Sequence, residues 1–160
     1  MSKTIHKLVA LTLVFSSQIS ASAVEFSLVP IQLGQYEIKV QLADTTEKRM
    51  QGLMGQQPLK HGLILLYKEP TEISLWMKNT PSALDVAFID KNWVVQSFAT
   101  MEPFSLETHS SKSPAIAALE MPKGWFAAHQ IKIGAQLRYC PLVKAQCQQH
   151  QAALKIIEGV

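Results

Sequence analysis

The 160-residue sequence contains none of the short motifs that mark common catalytic sites. It has no G-x-S-x-G nucleophile turn, no H-E-x-x-H zinc motif and no glycine-rich phosphate loop. The histidines beyond the N-terminal segment are far apart and show no paired metal-ligand spacing: His61, His109, His129 and His150. We therefore expect surface histidines and predict neither a metal nor a cofactor.

Runs of like charges are also absent, and the charge imbalance is small. The formal net charge is +3, and without Lys3 and Lys7 the chain has 13 basic residues against 12 acidic ones. A nearly neutral chain without a basic patch has no compositional signal for nucleic-acid binding or for a membrane-surface patch. We predict no nucleic-acid partner.

The N-terminal segment has one apolar run, and this run is short. Basic residues at positions 3–7 precede Leu8–Phe15, and the tripeptide Ala21-Ser22-Ala23 follows. This order is typical of a secretory signal peptide, and the run is far shorter than the ~20 residues that span a bilayer. An uncleaved anchor is the alternative. We expect cleavage after Ala23 (signal peptide 1–23), export to the periplasm or out of the cell, and no integral membrane segment afterwards.

The sequence has only two cysteines, Cys140 and Cys147. Their C-x6-C spacing matches neither the redox C-x-x-C motif nor a zinc knuckle. In an exported chain an even number of cysteines most simply forms one disulfide, with redox chemistry or metal binding as the alternatives. We predict a disulfide loop in a C-terminal extension, residues 138–160.

Alternating apolar and polar residues predict most of the secondary structure. Tyr36–Ala43 alternates with period two and is predicted as a strand with one wet face. A capping box with Asp44 as N-cap and Glu47 at N3 predicts a short helix through Met54, which Gly55 ends. Six further strand-sized stretches follow, separated by Pro, Gly, Asn or Ser: Gly62–Tyr67, Glu72–Lys78, Ala83–Asp90, Trp93–Ala99, Ala115–Met121 and Ile131–Tyr139.

Many short strands with one early helix predict a mainly β domain, a sandwich or barrel, over residues 24–137. The segment Asp90-Lys91-Asn92 predicts a tight hairpin between two of these strands. Helical spacing makes Met50, Leu53 and Met54 candidate core residues. We expect a second short helix in the C-terminal tail.

Three stretches, together with the segment around Pro103, resemble the domain-of-unknown-function 192 family: "TEKRMQGLMG", "WMKNTPSALDVAFID" and "LEMPKG". They match the family pattern E-R-x-x-G-L-M, W-M-x-N-T-x-x-x-L-D and L-E-x-x-x-G. The chain departs from it at Gly55, where a basic residue is usual, and at Gly134-Ala135, where the family has Gly-Asp. The resemblance implies a compact, mostly β, jelly-roll-like and usually exported domain, and it implies no activity.

Asp85 stands out because it is a lone carboxylate in the apolar run "ALDVAFID". A desolvated carboxylate accepts several hydrogen bonds or has its pKa raised. The structural interpretation is that Asp85 locks the turn 79–82 or pairs with Arg49. The functional interpretation is a pocket formed by Asn79, Asp85 and Glu120, with Trp76 as one wall.

Trp76 and Arg49 have two interpretations each. Alternation along "ISLWM" places Trp76 on the more polar face, where it stacks against a ligand or covers a loop. Arg49 clamps a ligand carboxylate, or it forms an ion pair with Asp85 or Glu120.

Three hypotheses of function follow from these residues. The first is a non-catalytic module that binds a small polar or saccharide-like ligand through Arg49, Trp76, Asn79, Asp85 and Glu120. The second is a structural or envelope-interaction protein, in which the motif residues only hold the fold. The third is a hydrolase or lyase that uses Asp85 and Glu120 as paired carboxylates.

Overall fold

The structure, a computed structural model, describes residues 24–139. The predicted signal peptide, the pair Cys140 and Cys147, and the predicted tail helix lie outside the described residues. Within them the chain folds into nine strands and two short helices: β1 (Ser27–Leu33), β2 (Tyr36–Ala43), α1 (Thr46–Gln51), β3 (Leu63–Thr71), β4 (Ser74–Leu75), β5 (Leu84–Ile89), β6 (Val95–Met101), β7 (His109–Ser110), β8 (Ala115–Pro122), α2 (Trp125–Ala128) and β9 (Leu137–Tyr139).

Seven of these strands form one curled sheet in the order β6-β5-β8-β3-β2-β1-β9, and β4 pairs with β7 separately. All pairs are antiparallel except β2 with β3. The ends of the sheet meet where Val94 bridges Gln136 and the Val95 N–H donates to the Ala135 carbonyl at 2.9 Å. The mainly β, barrel-like prediction is confirmed as a curled half-barrel.

Two apolar cores cover the two faces of the sheet. The inner core lies inside the curl and includes Ile31, Val40 and Leu119, closed at one end by Phe126 of α2. The outer core lies between the other face and the segment that carries α1 and β4, and it includes Leu53 and Met77 among other residues. Since β5 and β8 are covered on both sides, their sequences are almost continuously apolar.

The helix α1 begins and ends differently from the prediction. Its N-cap is Thr45, whose hydroxyl accepts from the Lys48 N–H at 3.2 Å, whereas the predicted N-cap, Asp44, lies 3.6 Å from the Lys48 ammonium. The helix stops at Gly52, which has φ +50°, and not at Gly55. The helix begins at Thr46, one residue later than predicted, so Thr45 is the residue placed to cap its first turn.

Several other local predictions need correction. Met50 is 72% exposed, so of the three predicted core residues only Leu53 is fully buried. The first strand, β1, was not predicted, because Pro30 interrupts its pattern. Glu72–Lys78 and Ile131–Tyr139 contain strands of only two and three residues. The β5–β6 hairpin is confirmed, and the Asp90 carboxylate stabilises it by accepting from the Asn92 and Val94 N–H groups.

Among the described residues no helix is long and apolar enough to cross a membrane.

Candidate functional site

A cavity of about 1060 Å³ lies between α1, the segment after β4 and the outer face of β3 and β8. We call it the α1 cavity. Its volume is of the size of small-molecule sites, roughly 300–1,000 Å³. The residues that matter for its chemistry are aromatic, charged or amide side chains on its wall: Glu47, Arg49, Tyr67, Trp76, Lys78, Asn79 and Glu120.

Glu120 reaches the cavity from β8, where it pairs with Leu63 of β3 and Val86 of β5. The residue is 6% exposed, and burial raises the pKa of its carboxyl to about 7. No other described residue forms an ion pair with it, and no hydrogen bond offsets its desolvation. The Glu120 oxygens are not among the fully buried polar atoms without a partner and face the cavity, so this position is a candidate for ligand binding.

Gly62 has no side chain, so the backbone of β8 can lie close to the start of β3. This close packing positions Glu120 on the cavity wall. A Cβ at Gly62 would lie 2.6 Å from the Glu120 carbonyl oxygen and would overlap the Met121 sulfur. On its other side, Gly62 accepts from the Gln41 N–H of β2 at 2.8 Å. Only glycine therefore fits between β2 and β8 at the start of β3.

Arg49 projects from α1 into the cavity wall, but part of its guanidinium is already engaged. Nη1 donates to the Leu66 carbonyl at 2.9 Å, and Nη2 donates to the Thr46 hydroxyl at 3.1 Å. The guanidinium carbon lies 4.7 Å from the centre of the Tyr67 ring, a cation–π contact. The predicted ion pair of Arg49 with Asp85 or Glu120 does not form. Three of its five N–H donors are not used by these two bonds.

Tyr67 is a cavity residue that the sequence analysis did not single out. It follows Leu63 and Leu65 on the same face of β3, so period two would have placed it on the outer face. Burial and Glu120 raise the pKa of its hydroxyl, and the nearby Arg49 partly opposes this rise. The Tyr67 side chain therefore lies near both the Arg49 guanidinium and the Glu120 carboxyl.

Trp76 lies on the face that alternation predicted. Ile73, Leu75 and Met77 are buried in the outer core, while the Trp76 side chain is 48% exposed and lines the cavity. The Lys78 ammonium lies 5.3 Å from the centre of the indole ring. An indole that is half exposed at a cavity mouth is suited to stacking against a ligand.

Asn79 both stabilises a turn through its backbone and lines the cavity with its side chain. Its φ is +58°, in the left-handed region that asparagine tolerates better than most residues. Its carbonyl accepts from the Gly55 N–H at 2.9 Å, which joins this turn to the end of the α1 segment. The side chain lines the cavity.

Asp85 does not line the α1 cavity. Its Oδ1 accepts from the Thr100 hydroxyl of β6 at 2.7 Å, and its Oδ2 accepts from the Gly124 N–H at 2.7 Å. The predicted bonds to the turn 79–82 and to Arg49 are therefore wrong. Gly124 has φ +86° and precedes α2, so Asp85 ties the last motif glycine to β5 and, through Thr100, to β6.

The arrangement also separates the two carboxylates that were considered as a catalytic pair. Glu120 is opposite Val86, and Asp85 is opposite Met121, in the β5–β8 register. Since successive side chains point to opposite faces, Asp85 and Glu120 lie on opposite faces of the sheet. They cannot act together on one substrate. Within residues 24–139, no three His, Cys, Asp or Glu side chains are grouped as metal ligands.

The fold and the cavity define a mainly β domain with a ligand-sized cavity beside α1. The profile of the DUF192 family, described as "Uncharacterized ACR", matches residues 29–139, so the chain belongs to this family. The resemblance drawn from the three motif stretches is thereby confirmed. The family has no assigned function. No curated protein matches the chain.

Two solved structures share the fold. One is a "putative transcription regulator" from Sinorhizobium meliloti 1021, with a TM-score of 0.71 and 24% identity over 74% of this chain and 98% of that one. The other is a protein of unknown function from Novosphingobium aromaticivorans DSM 12444, with a TM-score of 0.69 and 25% identity over 80% of this chain and 99% of that one. At this level of identity the first likeness shows the fold alone.

Proposed function

We propose that the protein is a non-catalytic module that binds a small polar or saccharide-like ligand in the α1 cavity. The observation that carries the proposal is Glu120, which is buried, lines the cavity and has no partner among the described residues. The Glu120 carboxyl opens onto the cavity and is not among the fully buried polar atoms without a partner, so a ligand in the cavity can bond to it directly.

The other residues of the cavity suit a polar ligand with at least one flat apolar surface. Trp76 and Tyr67 offer aromatic faces, and the Asn79 amide and the remaining Arg49 donors offer hydrogen bonds. Aromatic faces combined with a few fixed polar groups are the usual composition of small-molecule sites. Four of the five predicted site residues thus line one cavity, and Asp85 lies outside it.

A thermal-shift screen tests the binding proposal. The purified protein, Trp76→Ala and Ile133→Ala would be screened against sugars, small acids and cell-wall fragments. Ile133 is a matched control, because its side chain is 63% exposed and does not line the cavity. We expect at least one compound to raise the melting midpoint, with about tenfold weaker binding to Trp76→Ala because stacking is lost.

The structural or envelope-interaction hypothesis predicts a different result from the same screen. No compound would raise the midpoint of the wild-type protein. Equal binding to wild type and Trp76→Ala would show that the ligand occupies another surface and would also contradict the proposal. Ile133→Ala should bind like wild type in either case.

Export is proposed from the N-terminal sequence alone, where a basic segment, the apolar run Leu8–Phe15 and Ala21-Ser22-Ala23 occur in the order of a signal peptide. Expression of the full chain in a Gram-negative host tests it. N-terminal sequencing of the protein from the periplasmic fraction or the medium should begin at Val24. Recovery of protein that starts at Met1, in the cytoplasm or held in the inner membrane, would contradict export with cleavage.

A further inference from the structure

We propose that the ligand of the α1 cavity carries a protonated amino group and that the Glu120 carboxylate pairs with this group. The inference rests on the proposed function, since it names the chemistry of the ligand that the same cavity would take. Amino sugars and amino acids both supply this chemistry.

The side chains of the cavity wall supply no ion-pair partner to Glu120. Arg49 is turned toward the Leu66 carbonyl, the Thr46 hydroxyl and the face of Tyr67. Lys78 lies over the Trp76 ring at the cavity mouth. Neither residue forms an ion pair with Glu120, although three of the five Arg49 donors are not used by these contacts.

The other groups around the Glu120 carboxyl are apolar strand neighbours and the side chains of the cavity wall. On either side in the sheet its neighbours are the uncharged Leu63 and Val86. The titratable groups on the cavity wall are Tyr67 from β3, Glu47 and Arg49 from α1, and Lys78 after β4; cleavage after Ala23 would add the α-amino group of Val24. Glu47 is exposed, and its negative charge favours a cation in the cavity, whereas the positive charges of Arg49 and Lys78 oppose it. The aromatic faces of Tyr67 and Trp76 also attract cations.

Binding of an ammonium ligand would change the protonation of Glu120. An ammonium group that approaches the neutral carboxyl favours its ionised form, so the carboxyl O–H bond breaks and the proton goes to solvent. The complex is an ammonium–carboxylate pair, and no covalent bond to the ligand forms. A neutral ligand leaves the proton on Glu120. Proton release therefore distinguishes the two kinds of ligand.

Burial of the carboxyl fixes the pH dependence of this release. With a pKa of about 7 in the free protein, Glu120 is mainly neutral at pH 5.0 and half ionised at pH 7.0. An ammonium ligand should therefore bind about fiftyfold more weakly at pH 5.0 than at pH 7.0, and release about one proton at pH 5.0. Burial raises the pKa of the Tyr67 hydroxyl further above this range, so Tyr67 stays protonated at both pH values.

Isothermal titration calorimetry with matched probes tests the inference on the purified protein. The amino-sugar pair is glucosamine and N-acetylglucosamine, and the amino-acid pair is alanine and N-acetylalanine. Titrations at pH 5.0 and 7.0, in two buffers of different ionisation enthalpy, give the number of protons released. We expect the amine of one pair to bind at least tenfold more tightly than its acetylated partner at pH 7.0, and the responding pair identifies the source.

Glu120→Gln is the decisive variant, because it keeps the size of the side chain and removes the charge. It should lose the preference for the amine and release no proton on binding. Equal binding of amine and acetylated probes, weakened by Trp76→Ala, would overturn the inference and leave the proposed function standing. The same holds if neither pair binds while an uncharged compound from the screen does. If no compound binds at the cavity, both fail.

Discussion

Replacing Glu120 with glutamine should stabilise the protein by about 3 kcal/mol at pH 8 and change its stability little at pH 4.5. Burial raises the pKa of Glu120 to about 7, above its value of 4.5 in an exposed chain. The unfolded state therefore loses the proton first as the pH rises. Protonated Glu120 makes its full contribution to the free energy of unfolding below pH 4.5. This contribution is lost as the pH rises through 7.

Urea unfolding of wild type and Glu120→Gln between pH 4.5 and 8 measures this effect. The wild-type free energy of unfolding should fall through this range by about 3 kcal/mol more than that of the variant. Glu47→Gln is the matched control, because Glu47 lies on the same cavity but is exposed, and it should keep the wild-type pH dependence. Parallel pH profiles for wild type and Glu120→Gln would contradict a buried, unpartnered carboxyl.

Replacing Asp85 with alanine should lower the free energy of unfolding by about 2–3 kcal/mol, since two hydrogen bonds to a carboxylate are lost. One bond joins β5 to Thr100 of β6, and the other holds the Gly124 N–H at the start of α2. Urea unfolding at pH 7 measures the loss. Ligand binding in the α1 cavity should stay within about twofold of wild type, because Asp85 does not line it.

Thr100→Ala is the graded control for this change. It removes one of the two bonds and leaves the Gly124 bond in place, so it should cost about 1 kcal/mol. Two results would contradict the account of Asp85. The first is an unchanged stability of Asp85→Ala, and the second is a folded Asp85→Ala variant that no longer binds a ligand bound by wild type.

Local patterns in the sequence predicted the strands well and the helix ends less well. Tyr36–Ala43 alternates strictly, so its bounds agree with β2. The predicted helix cap is wrong because Asp44 and Thr45 are both good N-cap residues, and their order in the sequence does not show at which of them the helix begins. The strand β1 is not predicted from the sequence, because Pro30 is unusual in a strand. In the structure β1 pairs with β2 along the full length of β1.

The site shows what a single sequence can and cannot predict. Alternation correctly placed Trp76 opposite the buried Ile73, Leu75 and Met77, because this depends on neighbours in the chain. Whether Asp85 and Glu120 share a face depends on the register of β5 against β8, which is set by long-range pairing. The sequence motifs suggest that Asp85 and Glu120 share one pocket, but the register of β5 against β8 places them on opposite faces of the sheet. The predicted roles of the four cavity residues stay predictions until a ligand is found.

The central claim is that the α1 cavity binds a ligand, and the indole N–H signals in a ¹H–¹⁵N NMR titration test it most directly. The chain has three tryptophans. Trp76 lines the cavity, whereas Trp93 stacks on Tyr139 and Trp125 stacks on His129, both away from it. Single Trp→Phe variants assign the signals.

With any compound that stabilises the protein in the screen, the account predicts a saturable shift of the Trp76 indole signal. The backbone amide signals of Arg49, Asn79 and Glu120 should shift with the same affinity, while the Trp93 and Trp125 indole signals stay in place. A stabilising compound that leaves the Trp76 signal unmoved, or that moves the Trp93 or Trp125 signal instead, would contradict the claim.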